Sequence, residues 1–207
     1  MHSKTIATIQ LLFFLSAVSS EAVIIDKIAA IVNENVITES ELDAMEKLDL
    51  RLSGLPRKDS ILQERIDFHV VLQQLKTQPP VLIVQDEVDA ALKSFELKYG
   101  GEEGMNDFLN SIGMNRDDLN LEVHNQFRVR KFIRDRFRPF VNITIEDAED
   151  YYEKVYKPAA EMLAKDVPPF AEIFSEIQNL LVESRIQDRI EEWLVELRKN
   201  ARINIKE

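Results

Sequence analysis

Few residues of this sequence have the types and spacing that catalysis or metal binding requires. After the first 22 residues the only histidines are His69 and His124, and neither has a cysteine, a serine or a second histidine at a useful spacing. His124 lies two positions from Glu122, so the two side chains would not share a face of a helix. The acidic group Glu146–Asp150 lacks the loop spacing and the central glycine of a calcium loop. The sequence therefore predicts no catalytic residue, no metal site, no cofactor and no enzymatic activity.

The composition narrows the classes of fold and partner. The 207 residues carry a formal net charge of -11 at pH 7, and the phosphates of nucleic acid would repel such a chain. There is no cysteine, so no disulfide, thiolate metal ligand or cysteine nucleophile can form. Only 5 glycines stand among many charged and long aliphatic residues, which favours helices over a sheet-rich fold. We expect one mainly helical core that does not bind nucleic acid.

The first 22 residues have the plan of a secretory signal peptide. Lys4 supplies a basic start, an apolar run covers Leu11–Val18, and Ser20 and Ala22 are the small residues before the expected cut. An uncleaved membrane anchor is the alternative, but this apolar run is shorter than the ~20 residues that span a bilayer. We expect cleavage after Ala22, export, and a mature chain without stable membrane insertion.

The rest of the sequence predicts β elements at its two ends and helices between them. Residues 23–32 are rich in β-branched side chains, and a hairpin turn can follow at Asn33, because asparagine tolerates positive φ. Thr38 and Glu41 fit a capping box at the start of the first helix. The periodicity of apolar residues and the cap signals predict helices over 39–52, 59–76, 86–99, 105–112, 115–137, 144–156 and 170–199, and a strand over 201–205.

The two β elements should meet, although they lie at opposite ends of the mature chain. An isolated terminal strand is unstable, and the hairpin leaves an edge to which it can add. The predicted fold is mainly α, with a small antiparallel β patch that joins the N-terminal hairpin to the C-terminal strand. Residues 23–156 would form a helical domain, 157–169 a linker, and 170–207 a closing helix and strand that pack back on that domain.

The closing helix has two apolar faces, one in each half. The first half presents Ile173, Ile177 and Leu180 on one side. The second half presents Ile186, Ile190, Trp193 and Leu197 on another. Together they form too much apolar surface to remain in water, so we expect this helix to be packed along its length.

Four segments of the sequence resemble the SurA-type periplasmic chaperones. They are Val23–Asp43, Leu82–Asp89, Ile143–Tyr152 and Asp188–Ile205. The resemblance implies a helical N-terminal module that a final helix and strand complete, with one or two parvulin-type prolyl isomerase domains between the two parts. At the position of Gln85 the family commonly has serine or threonine, so the cap of that helix is weaker here.

The chain departs from that family by lacking room for an isomerase domain. Between Tyr156 and Phe170 stand 13 residues, where such a domain would need on the order of a hundred. The sequence therefore looks like the core module of a SurA-type chaperone without its isomerase domain. The resemblance implies a periplasmic, ATP-independent holding chaperone whose clients are unfolded outer-membrane β-barrel precursors. The residues themselves imply only the binding of apolar peptide.

Large apolar residues on successive helices are the candidates for that peptide contact. Methionine and aromatic side chains suit promiscuous binding, although each could instead be ordinary core. The candidates are Phe68, Phe95, Tyr99, Met105, Phe108 and Phe127, with Met114 near them in the sequence.

A basic run stands out in this acidic sequence. A solvated helix face paired with local acids is the first interpretation, and an anchor for the acidic closing helix is the second. The run consists of Arg128, Arg130, Lys131, Arg134, Arg136 and Arg138.

Two function hypotheses from different classes follow. A holding chaperone should have an adaptable cleft and many weak partners, which are unfolded or partly folded polypeptides. A non-catalytic assembly or scaffold subunit of the envelope should instead have one contiguous apolar patch and one dedicated partner. The short connection before Phe170 argues against a third class, the prolyl isomerases.

Overall fold

The computed structural model describes residues 26–163 and 166–206, and within these ranges the chain is mainly helical with one small sheet, as the sequence predicts. The predicted signal peptide, residues 1–22, lies outside the described residues. No helix in the described ranges is both long and apolar enough to cross a membrane. The elements are β1 (Ile28–Val32), β2 (Asn35–Thr38), α1 (Glu39–Leu48), α2 (Ile61–Lys76), α3 (Gln85–Lys98), α4 (Glu102–Ser111), α5 (Arg116–Phe137), α6 (Ile145–Tyr151), α7 (Lys157–Met162), α8 (Phe170–Asn200) and β3 (Ile203–Ile205).

The three strands form one antiparallel sheet in the order β2-β1-β3, which joins the N-terminal hairpin to the C-terminal strand. Asn33 turns the chain between β1 and β2 with a φ of 55°, a left-handed conformation that asparagine accepts. Its backbone N–H donates to the Arg202 carbonyl at 2.8 Å, and its side-chain oxygen accepts from the Arg202 N–H at 2.8 Å. β3 then pairs with β1, with Val32 opposite Ile203. The predicted closure of the fold is confirmed.

Polar caps set the helix ends close to the predicted positions. The Asn115 side chain accepts from the N–H groups of Asp117 and Asp118, and the Asp118 carboxylate completes a capping box at the start of α5. α1 ends at Leu48 instead of residue 52. Asp49 takes a left-handed conformation with a φ of 47°, which ends the helix early.

The capping box predicted for α1 lacks the carboxylate contact expected of Glu41. Thr38 Oγ1 accepts from the Glu41 N–H at 3.3 Å, as expected. The Glu41 carboxylate, however, accepts from Arg65 Nη2 of α2 at 2.7 Å. A charged guanidinium is a stronger donor than a backbone amide, so it takes the carboxylate that the local pattern assigned to the cap.

The predicted linker, residues 157–169, is helical in its first part. α6 continues through a π-helical turn, Tyr152–Tyr156, directly into α7. Pro158 accounts for this turn, because it has no N–H and its ring would clash with the carbonyl four residues earlier in an α-helix. The Lys157 N–H donates to the carbonyl of Tyr152, five residues earlier, so the helix absorbs the proline and goes on. The first six residues of the predicted linker are therefore helical.

Two apolar cores share the long helix α5. The first, which we call the closure core, lies between the sheet, α2, the second half of α5 and α8. Its buried residues are Ala29, Ala30, Val32, Ile37, Leu42, Ile66, Phe68, Val70, Val71, Leu75, Val129, Ile133, Phe137, Ile143, Val182, Ile186, Ile190 and Leu194. The second, the α3–α4 core, lies between the end of α1, α3, α4 and the first half of α5. Its buried residues are Leu48, Leu50, Val88, Met105, Leu109, Leu119, Val123 and Phe127.

α8 packs along much of its length, as predicted, but its apolar faces differ in detail. Leu180 is 50% exposed, and Leu181 packs inward in its place. Positions 180 and 181 both border the buried face at 3.6 residues per turn, so the periodicity alone does not separate them. Leu194 is fully buried, whereas Trp193 and Leu197 are only partly buried.

Candidate peptide-binding groove

An open groove of about 630 Å³ lies between α3, α5 and α8. Its floor is apolar and comes from two helices, with Phe127 and Ile133 on α5 and Ile186 and Ile190 on α8. These four side chains belong to the two cores, so the floor is a continuation of the packed interior. The volume falls within the range of roughly 300–1,000 Å³ that is typical of ligand sites.

The regular spacing of α5 gives the groove its length. Phe127, Arg130 and Arg134 of α5, with Arg138 at its C-cap, line it and stand about one helical turn apart. At 1.5 Å per residue, the segment from Phe127 to Arg138 is about 16 Å long. An extended chain rises about 3.3 Å per residue, so the groove has room for about five residues of extended peptide.

Ion pairs connect both walls of the groove to arginines of the α5 segment. On the α3 wall, Glu87 Oε2 lies 2.9 Å from Nη2 of Arg130. On the α8 wall, Glu183 Oε1 lies 3.3 Å from Nη1 of Arg138. These pairs are largely exposed, and pairs of that kind contribute only about 0.2–1 kcal/mol each to stability.

The groove also shows how the basic run is used. Lys131 pairs with Asp135 one turn along the same helix, as the interpretation of local pairing predicts. Arg138 reaches the closing helix through Glu183, as the anchor interpretation predicts, while Arg130 reaches α3. Each interpretation therefore holds for part of the run.

Of the six candidate peptide-contact residues, only Phe127 lines this groove. Phe68 is 4% exposed in the closure core, where it borders a separate cavity of about 120 Å³. Met105 is 2% exposed and borders a third pocket, of about 320 Å³, between α3, α4 and α5. The structure thus distributes these three residues among three different concavities.

The remaining candidates lie together in the α3–α4 core. The rings of Tyr99 and Phe108 stack with centroids 3.9 Å apart and planes 16° from parallel. Lys98 Nζ lies 5.2 Å from the ring centroid of Tyr99 and 5.7 Å from that of Phe95. All three rings are partly buried, as is Met114. They form a shallow aromatic surface on α3 and α4 and no part of the groove.

The groove residues that the sequence did not single out for binding are the isoleucines of the floor and the wall residues of α3 and α8. Ile133, Ile186 and Ile190 carry a clear helical period, which predicts burial but not which helices meet. The row of arginines at every fourth position of α5 was the one signal of a special surface there.

A buried ion network lies where the two cores meet. Arg65 of α2 is 8% exposed, and its Nη1 lies 2.8 Å from Oε1 of Glu122 on α5. Gln126 Nε2 donates to the same Glu122 oxygen at 2.8 Å, and Gln126 Oε1 accepts from the Leu52 N–H at 2.6 Å. With Glu41, the network connects α1, the loop after it, α2 and α5.

The electrostatics of this network favour its charged state. Burial raises the pKa of Glu41, but hydrogen bonds from His69 and Arg65 and the charge of Arg65 outweigh it and hold the pKa below its usual value. Burial likewise lowers the pKa of Arg65, but the charges of Glu122 and Glu41 raise it overall. His69 Nε2 stands 3.4 Å from Glu41 Oε1, so this histidine is a structural partner of the network.

The described residues, 26–163 and 166–206, contain no group of three or more histidine, aspartate or glutamate side chains placed to hold a metal ion. In the same ranges no buried side-chain nitrogen or oxygen lacks a hydrogen-bond partner. Comparison of the chain with protein-family models and with curated proteins found no match.

Proposed function

We propose that this protein is an exported, periplasmic holding chaperone that binds apolar segments of unfolded proteins without ATP, and that its clients include unfolded outer-membrane β-barrel precursors. The groove between α3, α5 and α8 carries the proposal. It is open, its floor is apolar, and it has room for about five residues of extended chain. Burial of apolar client surface contributes about 25 cal/mol per Å² before the costs of association, so a site this small favours weak, reversible binding.

The construction of the walls supports a role with many clients. The α8 wall belongs to the closure core, where Asp67, 1% exposed, accepts from two Arg198 nitrogens at 2.5 Å each. The α3 wall belongs to the α3–α4 core, in which Leu92 and Phe95 are only partly buried. One wall on the deeply buried closure core and one wall on a core with many partly buried residues suit a site that adapts to different segments.

The arrangement of the chain ends also supports the proposal. A final helix and strand that return to complete an N-terminal helical module are what the SurA resemblance implies, and β3 and α8 have this arrangement here. The resemblance also supplies the β-barrel clients and the periplasmic location, to which the groove itself adds no information. α7 ends at Met162 and α8 begins at Phe170, far short of the roughly one hundred residues of a domain, so the proposal includes no isomerase activity.

Filling the groove tests the proposal directly. Ala90 is an exposed residue of the α3 wall, so the Ala90→Trp variant should place an indole in the groove without disturbing either core. We expect the native protein to suppress aggregation of a diluted, urea-unfolded β-barrel protein without ATP. Ala90→Trp should lose most of that suppression, as measured by light scattering.

A matched control separates the groove from a general effect of an added indole. Ala171 is an exposed residue in the first turn of α8, and Ala171→Trp should suppress aggregation as well as the native protein does. Equal activity of the native protein and Ala90→Trp would show that clients bind elsewhere. Absence of suppression for every unfolded client would refute the chaperone proposal.

A second candidate function rests on three exposed apolar residues in and beside α7. Val155, Met162 and Leu163 are 49%, 86% and 64% exposed, and Val155 and Met162 stand seven residues apart, about two helical turns. Exposed apolar residues of this kind suit a scaffold subunit with one dedicated partner. Met162→Glu should abolish capture of that partner and leave aggregation suppression unchanged. Pull-down from an envelope extract with the native protein and this variant distinguishes the two functions.

A further inference from the structure

The basic residues in the groove differ in how they are neutralised. Arg130 and Arg138 each have a glutamate on a wall within ion-pair distance, 2.9 Å and 3.3 Å away. Arg134 lies midway between them on α5, is exposed, and lines the same groove. Within residues 26–163 and 166–206 it has no acidic side chain within ion-pair distance and no side-chain hydrogen bond. Among the described residues, one positive charge at the centre of the groove therefore has no acidic partner.

The position of Arg134 relates that charge to the apolar floor. It is one residue from Ile133, which forms part of the floor, and one helical turn from the arginines on either side. A guanidinium offers a planar fork of donors that matches a carboxylate with two parallel hydrogen bonds. A client segment that lies along the floor would bring its middle residues to this guanidinium.

From these contacts we infer that the groove prefers apolar segments that carry an acidic side chain near their middle, with Arg134 as the residue that selects them. This inference rests on the proposed function of the groove. A side-chain carboxylate is the source we propose, because a groove that holds internal segments of unfolded chains meets many acidic side chains and only one chain terminus per client.

The net charge of the protein does not oppose this preference at ordinary salt. The chain carries -11 overall, which repels acidic peptides at long range. At about 0.15 M ionic strength the Debye length is about 8 Å, so charges beyond the groove are largely screened. Among the residues that line the groove, three arginines stand beside two glutamates, so one net positive charge remains close to a bound segment.

Matched peptides test the inference. Labelled apolar peptides with blocked termini should differ only at the central residue, which is Glu, Gln or Lys. We expect the Glu peptide to bind the native protein about three- to fivefold more tightly than the Gln peptide, as exposed charge pairs do, and the Lys peptide to bind most weakly. Fluorescence anisotropy measures the affinities, and the preference should decline as salt is raised.

Two variants assign the preference to one residue. Arg134→Gln should bind the Glu and Gln peptides equally, while its affinity for the Gln peptide stays at the native value. Arg128→Gln removes one charge from the same helix outside the groove and should keep the native preference. Circular dichroism melts check that both variants fold, since both positions are outside the apolar cores.

The possible failures are distinguishable. If the Gln peptide binds the native protein and the Glu peptide binds no more tightly, the inference is wrong and the proposed function stands. A preference that Arg134→Gln retains would also overturn it. If a Gln peptide gains affinity from a free C-terminal carboxylate and the internal Glu adds none, the carboxylate that Arg134 binds is the chain terminus and not a side chain. If none of the peptides binds, the proposed function fails and this inference fails with it.

Discussion

The closure core and the α3–α4 core are built from different kinds of contact. The closure core joins parts of the chain that are far apart in sequence, such as Asp67 and Arg198, and it has eighteen buried residues beside twelve partly buried ones. The α3–α4 core joins α3, α4 and the first half of α5, which follow one another, to the end of α1, and it has eight buried residues beside ten partly buried ones. The first is therefore the deeper core, and the second is the shallower.

This difference explains why the groove lies where it does. The closure core contains elements from both ends of the chain, and the loss of any one of them exposes the others. It should therefore open only in global unfolding. A shallow core built mainly of consecutive helices can open by itself at a lower free energy. The groove lies on the boundary, with the α8 wall on the deep core and the α3 wall on the shallow one.

Removal of residues 170–207 should have the largest effect on this comparison. It takes α8 and β3 from the closure core and exposes the apolar face of α2. The resulting loss of folding free energy should exceed the about 5–15 kcal/mol that is the whole stability of a typical domain. We expect aggregation and loss of cooperative melting, as measured by size-exclusion chromatography and calorimetry. A control that lacks only residues 203–207 should remain folded and melt at a lower temperature. A monomeric 1–169 chain with unchanged melting temperature would show that α8 is an independent appendage.

Arg65→Met should have the next largest effect, because it leaves Glu41 and Glu122 without their buried cation. Breaking such a network by removal of one partner costs about 3–5 kcal/mol. Arg51→Met, which breaks more exposed ion pairs with Asp49 and Glu64, should cost less than about 1 kcal/mol. Urea unfolding curves measure both losses, and equal losses would contradict a special role for the buried network.

The same variant should reverse the pH dependence of the network. In the native protein the pKa of Glu41 is lower than its usual value, so this carboxylate stabilises the fold above about pH 4.5 and loses that contribution in acid. In Arg65→Met the Glu41 carboxylate loses the guanidinium, one of the groups that lower its pKa, so that pKa should rise. Protonation of Glu41 in the variant then removes the cost of holding an ionised carboxylate without its cation. The loss of unfolding free energy relative to the native protein should therefore shrink as the pH falls from about 7 to about 5. A difference that grows in acid would contradict this account.

A matched pair of cavity variants asks whether the α3–α4 core opens by itself. Ile190 of the closure core and Leu109 of the α3–α4 core are 0% and 1% exposed, and each change to alanine should cost about 2–5 kcal/mol. Leu109 loses its native packing both when α3 and α4 open locally and when the whole domain unfolds. Leu109→Ala therefore lowers the free energy of both opening reactions and should speed hydrogen exchange in both cores. Ile190→Ala should speed exchange only in the closure core, since local opening of α3 and α4 leaves Ile190 packed. Equal acceleration of the α4 amides in Ile190→Ala would show that the two cores are one cooperative unit.

The smallest expected differences concern the partly buried aromatic residues. Trp193 of α8 packs against Phe132 and Phe137, with the Arg136 guanidinium 5.2 Å from its ring, but it is not fully buried. Trp193→Ala should therefore cost about 2–3 kcal/mol, which is less than the about 3–5 kcal/mol for a fully buried indole. Phe108→Ala removes only one stacked ring from the shallow core and should cost about 1–2 kcal/mol. Thermal unfolding checks the order, and a larger loss for Phe108→Ala would reverse the ranking of the two cores.

Most of the fold was predictable because its signals are local. The turn at Asn33, the cap at Asn115 and the apolar period of α8 each depend on residues within a few positions. The closure of β3 onto β1 was also predictable, because a lone terminal strand needs an edge and only the hairpin offered one. The candidate site was predictable only at Phe127, since an aromatic residue in a helical period has the same pattern in a core and in a groove.

The sequence by itself determined the class of fold, the order of its elements and the meeting of its two ends, because caps, turns and hydrophobic period act over short distances. Tertiary structure alone decided that Glu41 turns from its helix cap to Arg65, since a buried cation from α2 is a stronger partner than the local amide. It also decided which arginines of α5 and its C-cap are paired with acidic side chains, because Glu87 and Glu183 come from helices far away in the chain. Charge pairing between distant helices depends on how those helices pack, and the spacing of residues along one helix does not predict it.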